Sequence, residues 1–308
     1  MPALLELADI SDGDVAAIGG WSDSFVATLR ERLLALHAHA HLGQDELADL
    51  VRHRVLEETS GSLTALGDNV RDLLVHESWQ DGDELTALLN SGAVQAQHSI
   101  LDVGCSTGWM LRSLKTPVPE QRTGIDMEPR ALALASRFSL LAGQSIQFSF
   151  GSAHDLPFAN HSFDWVICRN AITYMNQRVA LEEMTRVLKP DGFIILRFEN
   201  FRYDINNLLH TKTLRSCCCR LRDLACGLIH AASGWQYAPH PGWRGRCFCS
   251  VYRTRHLLKK DNCRILQRPE SLKCPRLCGH PTQTTLWIVK STVTQPSLDE
   301  TVDLKILN

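Results

Sequence analysis

Two glycines four residues apart, Gly104 and Gly108, close a turn at the end of the apolar run Ser99-Ile100-Leu101-Asp102-Val103, with Cys105, Ser106 and Thr107 between them. Such a turn lets backbone approach a ligand closely, and the helix expected after it offers free N–H groups to a carboxylate or phosphate. The stretch lacks the Lys-Ser/Thr ending of a P-loop and the full glycine spacing of a dinucleotide fingerprint, which argues against ATP hydrolysis and NAD binding. Asp126 comes 22 residues after Gly104, in Gly124-Ile125-Asp126-Met127 at the end of the next β-rich run. A carboxylate there can accept both hydroxyls of a ribose, and Met127 can lie against a base ring. A third segment, Gly151-Ser152-Ala153-His154-Asp155, closes the following run.

The elements that must position these residues alternate. β-rich runs fall at Ser99–Val103, Gln121–Ile125, Ser145–Phe150, Trp165–Cys168 and Phe193–Phe198, with helical patterns at Met110–Leu114, Arg130–Leu141 and Arg178–Leu188. This is the βαβ signature of a parallel sheet covered on both faces. Before it, Ser22 to Leu89 reads as several helices, broken at Gly43, Ser60-Gly61 and Asp81-Gly82, with Asp45 and Asp83 as N-caps. After it, Asn206–Ile229 reads as one Leu-rich helix with Arg215, Arg220 and Arg222; then come a helix at Arg253–Lys260 and strands at Arg264–Gln267 and Thr284–Lys290. The expected organisation is an N-terminal helical cap (1–95), an α/β domain (96–290) with a basic, Cys-rich helical insertion (200–250), and a tail (291–308).

The ordered segments Leu101-Asp102-Val103-Gly104-Cys105-Ser106-Thr107-Gly108, Gly124-Ile125-Asp126-Met127, Gly151-Ser152-Ala153 and Leu188-Lys189-Pro190-Asp191-Gly192 resemble those of the class I S-adenosylmethionine-dependent methyltransferases, of the broad bacterial small-molecule group. The similarity covers about 99–200 and, through the last helix and strand pair, 253–290. It implies a Rossmann-like, doubly wound, mostly parallel seven-stranded sheet, with S-adenosylmethionine as cofactor. By the same resemblance Asp102, Gly104, Ser106 and Gly108 surround the methionine part, Asp126 takes the ribose, and Met127 the adenine. Ser152 and Ala153 border the adenine edge, while Cys168 to Asn170 border the sulfonium and the acceptor. Three departures stand out: Ser106 replaces the usual middle glycine, which is tolerated if its φ is negative; Ser152 replaces a common Asp; and Asp191 replaces the first glycine of a Pro-Gly-Gly turn. The cap and insertion are expected over the carboxyl ends of the strands, forming the acceptor pocket.

The 308 residues allow one large domain with additions, and 44% hydrophobic with 21% charged residues excludes collagen-like, coiled-coil and wholly disordered chains. No apolar run nears the roughly 20 residues of a bilayer span, and the start lacks the cationic, apolar pattern of a secretory signal, so a cytoplasmic protein is expected. Charge is split along the chain: residues 1–199 hold 15 basic and 27 acidic side chains, whereas 200–290 hold 16 and 4. That basic segment points to an anionic small-molecule acceptor, phosphorylated, carboxylated or lipid- or glycan-linked, or to contact with a membrane surface. O-methylation of that acceptor is favoured, with Tyr174, His210, His230 and His240 as candidate bases and no catalytic residue assigned.

An RNA methyltransferase is the rival reading, with Trp235, Tyr237, Trp243 and Phe248 as stacking rings among the cations. A non-catalytic, cofactor-binding partner subunit with a structural zinc site is a third. Cys247-x-Cys249 and Cys274-x3-Cys278-x-His280 would supply that zinc, although their spacing departs from the usual knuckle and no metal ligand is assigned. His37, His39 and His41 fall on different faces of a helix, as do Cys217, Cys218 and Cys219.

Overall fold

The computed structural model describes residues 13–38, 41–78, 86–87, 89–115, 119, 121–236, 246–259, 262–267, 276–278 and 280–291. Helices α1 (Gly13–Gly19), α2 (Asp23–His37), α3 (Gln44–Arg52) and α4 (Ala65–Ser78) precede the sheet. The expected alternation then follows as β1 (Ser99–Val103), α5 (Trp109–Arg112), β2 (Gln121–Asp126), α6 (Pro129–Leu141), β3 (Gln147–Phe150), β4 (Phe163–Arg169), α7 (Gln177–Val187) and β5 (Leu188–Glu199). The insertion holds α8 (Phe201–Leu209) and α9 (Leu214–Ser233), after which come α10 (Val251–Leu258) and β6 (Cys263–Gln267). A small hairpin of β7 (Arg276–Leu277) and β8 (His280–Pro281) leads into β9 (Gln283–Lys290).

The sheet has seven strands in the order β3-β2-β1-β4-β5-β9-β6, the doubly wound arrangement expected from the sequence. β1 pairs in parallel with β2 and β4; β9 is antiparallel to both of its neighbours, β5 and β6. All five residues of β1 are buried, as a strand covered on both faces requires. The strand order reverses between β2 and β4, on either side of β1, and a crevice opens at the carboxyl ends there.

Two apolar clusters fill the two faces of the sheet, and a third joins the N-terminal helices to α6. Ala131 to Ala135 are all buried, because α6 is pressed between the sheet on one side and α1, α2 and α4 on the other. The N-terminal helices thus form a lateral layer on α6. Only α4 sends residues (Asn69, Asp72 and Leu73) toward the crevice, so the expected cap over the strand ends is reduced to one helix among the described residues.

Two local readings are corrected. The span Asn206–Ile229 is two helices, because the chain turns at His210–Lys212 and Thr213 restarts it, accepting from the Ser216 amide at 3.2 Å. Asp45 lies in the first turn of α3, whose N-cap is Gly43; the Gly43 amide donates to Glu46 at 2.8 Å. Asp83 and the 292–308 part of the tail lie outside the described residues.

Candidate functional site

A cavity of about 470 Å³ opens at the carboxyl ends of β1, β2 and β4. Of the nine sequence-predicted residues, Gly104, Ser106, Asp126, Met127, Ser152, Ala153 and Asn170 line it together. Asp102 and Gly108 do not. Asp102 lies within β1, 3% exposed, where burial raises its pKa to about 7 against the pull of Arg169 and with a further push from Asp126. Gly108 shapes the turn from below: its φ is +71°, and a Cβ there would meet the Phe148 ring at 2.7 Å.

The turn is built by backbone geometry that the sequence only partly announced. Gly104 has φ +76°, and a Cβ on it would lie 2.4 Å from the Ala171 Cβ. Ser106 has φ +49°, so the condition under which a serine is readily tolerated there, a negative φ, is not met; a non-glycine residue holds a left-handed conformation at the cavity wall. What fixes it is Asp126, whose Oδ2 accepts from the Ser106 amide at 2.7 Å while Oδ1 accepts from the Glu128 amide at 2.9 Å. Burial raises the Asp126 pKa, and the Ser106, Glu128 and Met127 amides oppose that rise. With three amides on about four lone-pair sites, the carboxylate keeps acceptor capacity for a further donor. The helix expected after the turn is a single turn, Trp109–Arg112.

Beside Asp126, Met127 is 63% exposed in the cavity wall, a large apolar side chain left open at a site edge. Across the cavity Asn170 also has positive φ, +57°, held by its amide donating to the Arg197 carbonyl at 2.7 Å. Its Oδ1 is buried without a hydrogen-bond partner. Ser152 and Ala153 line the third side, where the His154 amide donates to Ser152 Oγ at 3.2 Å.

Of the stretch Cys168 to Asn170, Arg169 and Asn170 line the cavity and Cys168 does not, while Glu128, Arg130, His154 and Glu199 line it without having been assigned a role from the sequence. Glu199 ends β5 as Arg169 ends β4, a position in open α/β sheets that faces the ligand crevice and was the available signal for Glu199. Arg130 is tied to Glu128 at 2.7 Å and to Asp14 at 3.2 Å. Burial raises the Glu199 pKa; Arg246 Nη1, 2.6 Å from Oε2, and a hydrogen bond from Tyr203 pull the other way. Arg246 also pairs with the fully buried Asp204 at 3.1 Å and lies over the Tyr203 ring. The insertion therefore supports Glu199 from behind, and none of its described residues lines the cavity.

Among the described candidate bases, only Tyr174 reaches the cavity, and burial raises its pKa, keeping the phenol protonated. His210 is exposed and donates from Nδ1 to the Asn206 carbonyl, while His230 is buried beside Gln177 on α9; His240 lies outside the described residues. Phe248 is buried and cannot serve as a stacking ring, and Tyr237 and Trp243 lie outside the described residues. Cys247 and Cys249 are buried thiols whose pKa values burial pushes up to about 12, and no group of three metal-ligating side chains occurs among the described residues. Cys274 lies outside them. No described helix is long and apolar enough to cross a membrane.

Residues 101–196, the stretch that builds β1 to β5 and most of the cavity, match the family model "Methyltransferase domain". That stretch carries a methyltransferase domain. The "Uncharacterized methyltransferase YcgJ" of Bacillus subtilis is 31% identical over 118 residues, 38% of this chain and 46% of that protein. The "O-methyltransferase cnsE" of Penicillium expansum is 32% identical over 157 residues, 46% of this chain and 55% of that one. A "Demethylmenaquinone methyltransferase" of Staphylococcus aureus is 31% identical over 149 residues, 46% and 58% of the two chains. The chain spans about half the length of these curated relatives. The methyltransferase domain lies within the sheet and its helices, apart from the insertion and the N-terminal layer.

Proposed function

We propose that this chain binds S-adenosylmethionine in the cavity and transfers its methyl group to a small, anionic acceptor, with an acceptor oxygen favoured. The convergence of seven sequence-predicted residues on one cavity wall is the observation that carries the reading. The residues present suit the cofactor chemically. The unpartnered Asn170 Oδ1 is an acceptor for an ammonium, the Asp126 carboxylate lines the cavity with acceptor capacity left for a ribose hydroxyl, and Gly104 leaves the space a side chain would fill. Met127 supplies an apolar surface for a purine face.

When bound, the cofactor supplies a methyl group on a sulfonium, open to in-line attack. The protein's task is then to align the acceptor, exclude water and receive a proton from a hydroxyl. Glu199 is the carboxylate in the cavity wall placed to receive it, because burial makes it a stronger base than an exposed carboxylate, and Arg246 fixes its orientation. Arg169 in the same wall supports an anionic acceptor.

Calorimetric titration of the full chain with S-adenosylmethionine and its demethylated product, followed by transfer of labelled methyl to a panel of carboxylated and phosphorylated hydroxy compounds, tests the proposal. Micromolar binding of both ligands and label in an oxygen ester or ether are expected. Absence of binding overturns the cofactor assignment, and label on nitrogen or carbon overturns the acceptor atom.

A further inference from the structure

Helix α9 turns Asp223 and His230 inward and three of its four leucines outward. The face against the body holds Asp223, Gly227 and His230, all buried. Gly227 is required there, since a Cβ would meet the Phe248 ring at 2.1 Å, and His230 Nε2 lies 3.0 Å from Gln177 Oε1. At 3.6 residues per turn the opposite face runs Leu214, Cys218, Leu221, Ala225, Leu228, Ile229 and Ala232, and every one of them is exposed. Leu214 is 82% exposed and Leu228 54%. Leu209 before the helix and Trp235 after it are exposed as well.

The charges around this stripe have one sign. Lys212 and Arg215 are exposed, and Arg222 lies on the same flank of the helix as Arg215. The acids of residues 200–236 are Asp204 and Asp223, and both are buried; Asp223 pairs with Arg222 at 2.9 Å, and no carboxylate of this segment is exposed beside Lys212 and Arg215. A contiguous exposed apolar stripe marks an interaction surface. A second copy docked on the same face about a two-fold axis would set like charges against each other. An anionic bilayer satisfies both features: leucines enter the headgroup region while lysine and arginine meet lipid phosphates.

We propose that the outer face of α9 is a membrane-surface contact, seating the protein on anionic lipid bilayers through Leu214, Leu221, Leu228 and Ile229 with Lys212 and Arg215 on the phosphates. This is independent of the catalytic reading, because no described residue of α9 lines the cavity.

The test is co-sedimentation of the full chain with vesicles of phosphatidylcholine alone or with about one third phosphatidylglycerol, at about 0.1 M and about 1 M salt, which shortens the screening length from about 10 Å to about 3 Å. Native protein is expected to bind the anionic vesicles at least tenfold more tightly than the neutral ones, with most of that preference lost at high salt. Leu221→Glu/Leu228→Glu and, separately, Lys212→Glu/Arg215→Glu should each weaken binding at least tenfold with an unchanged circular dichroism spectrum. Both pairs are solvent-facing, so neither substitution disturbs packing. Equal binding by native and variant chains, or no binding by the native chain, overturns the proposal. A concentration-dependent dimer in light scattering that Leu221→Glu/Leu228→Glu abolishes also overturns it, in favour of a second copy.

Discussion

The Ser106 amide donates to Asp126 Oδ2 at 2.7 Å, so the turn after β1 and the end of β2 are held by one carboxylate. Asp126 therefore serves two ends, shaping the loop and presenting lone pairs to the cavity. Asp126→Ala is expected to weaken S-adenosylmethionine binding by tenfold or more, about 1.4 kcal/mol, read by calorimetry. Asp126→Asn keeps one acceptor oxygen and should fall between the two; an alanine variant that binds like the native chain would remove the ribose role.

Gly104→Ala should abolish cofactor binding and lower stability by about 2 kcal/mol, since the left-handed φ of +76° and the overlap with Ala171 both oppose it. Urea unfolding gives the stability term. The double variant Gly104→Ala/Ala171→Gly relieves the overlap but not the φ, and should recover part of the loss.

Glu199→Gln is expected to lower kcat about 100-fold on a hydroxyl acceptor while leaving cofactor affinity within about twofold. The sign of the pH effect follows from burial: the pKa of Glu199 is raised, so the acidic limb of the native rate profile lies above the ordinary carboxylate range. In the variant that limb disappears. A kcat that stays unchanged would make Glu199 a bystander of the pocket wall.

Asp102 offers a test in the absence of any ligand. Its folded pKa, about 7, lies above the unfolded value of about 3.9, so folding favours the protonated acid and its contribution to stability is lost as pH rises from about 4 to 7. Three units correspond to about 4 kcal/mol. Asp102→Asn removes this dependence, and its melting temperature relative to the native chain should climb across that window and level off above it. A constant difference between the two chains across the same range would show that Asp102 ionises without cost.

The strands of the parallel half and the cavity-lining loops were readable because both are local, although β5 starts at Leu188, five residues before its expected start. β1 matches its sequence-based bounds residue for residue, and the glycine turn and Asp126 are fixed by chain spacing. The insertion misled because its leucines keep helical spacing straight across His210–Lys212, where only the Thr213 cap marks a restart. Ser106 was misjudged because its φ is set by a carboxylate 20 residues away. Glu199 and Arg246 were invisible as a pair for the same reason: 47 residues separate them, and only the return of the chain past α9 brings them together. The Leu-rich pattern of α9 did not reveal which face turns inward; Phe248 settles that by demanding a glycine opposite it.

The placement of β9 bears on how the protein is made. β5 is complete at Glu199, yet its open side is covered only when Gln283–Lys290 slides between it and β6. During synthesis, and in any chain cut within the insertion, Phe193 to Phe198 would present an unpaired, apolar edge to neighbouring chains. The closing strand arrives after more than 80 intervening residues, so joining the two halves of the sheet is the slow, non-local step of assembly.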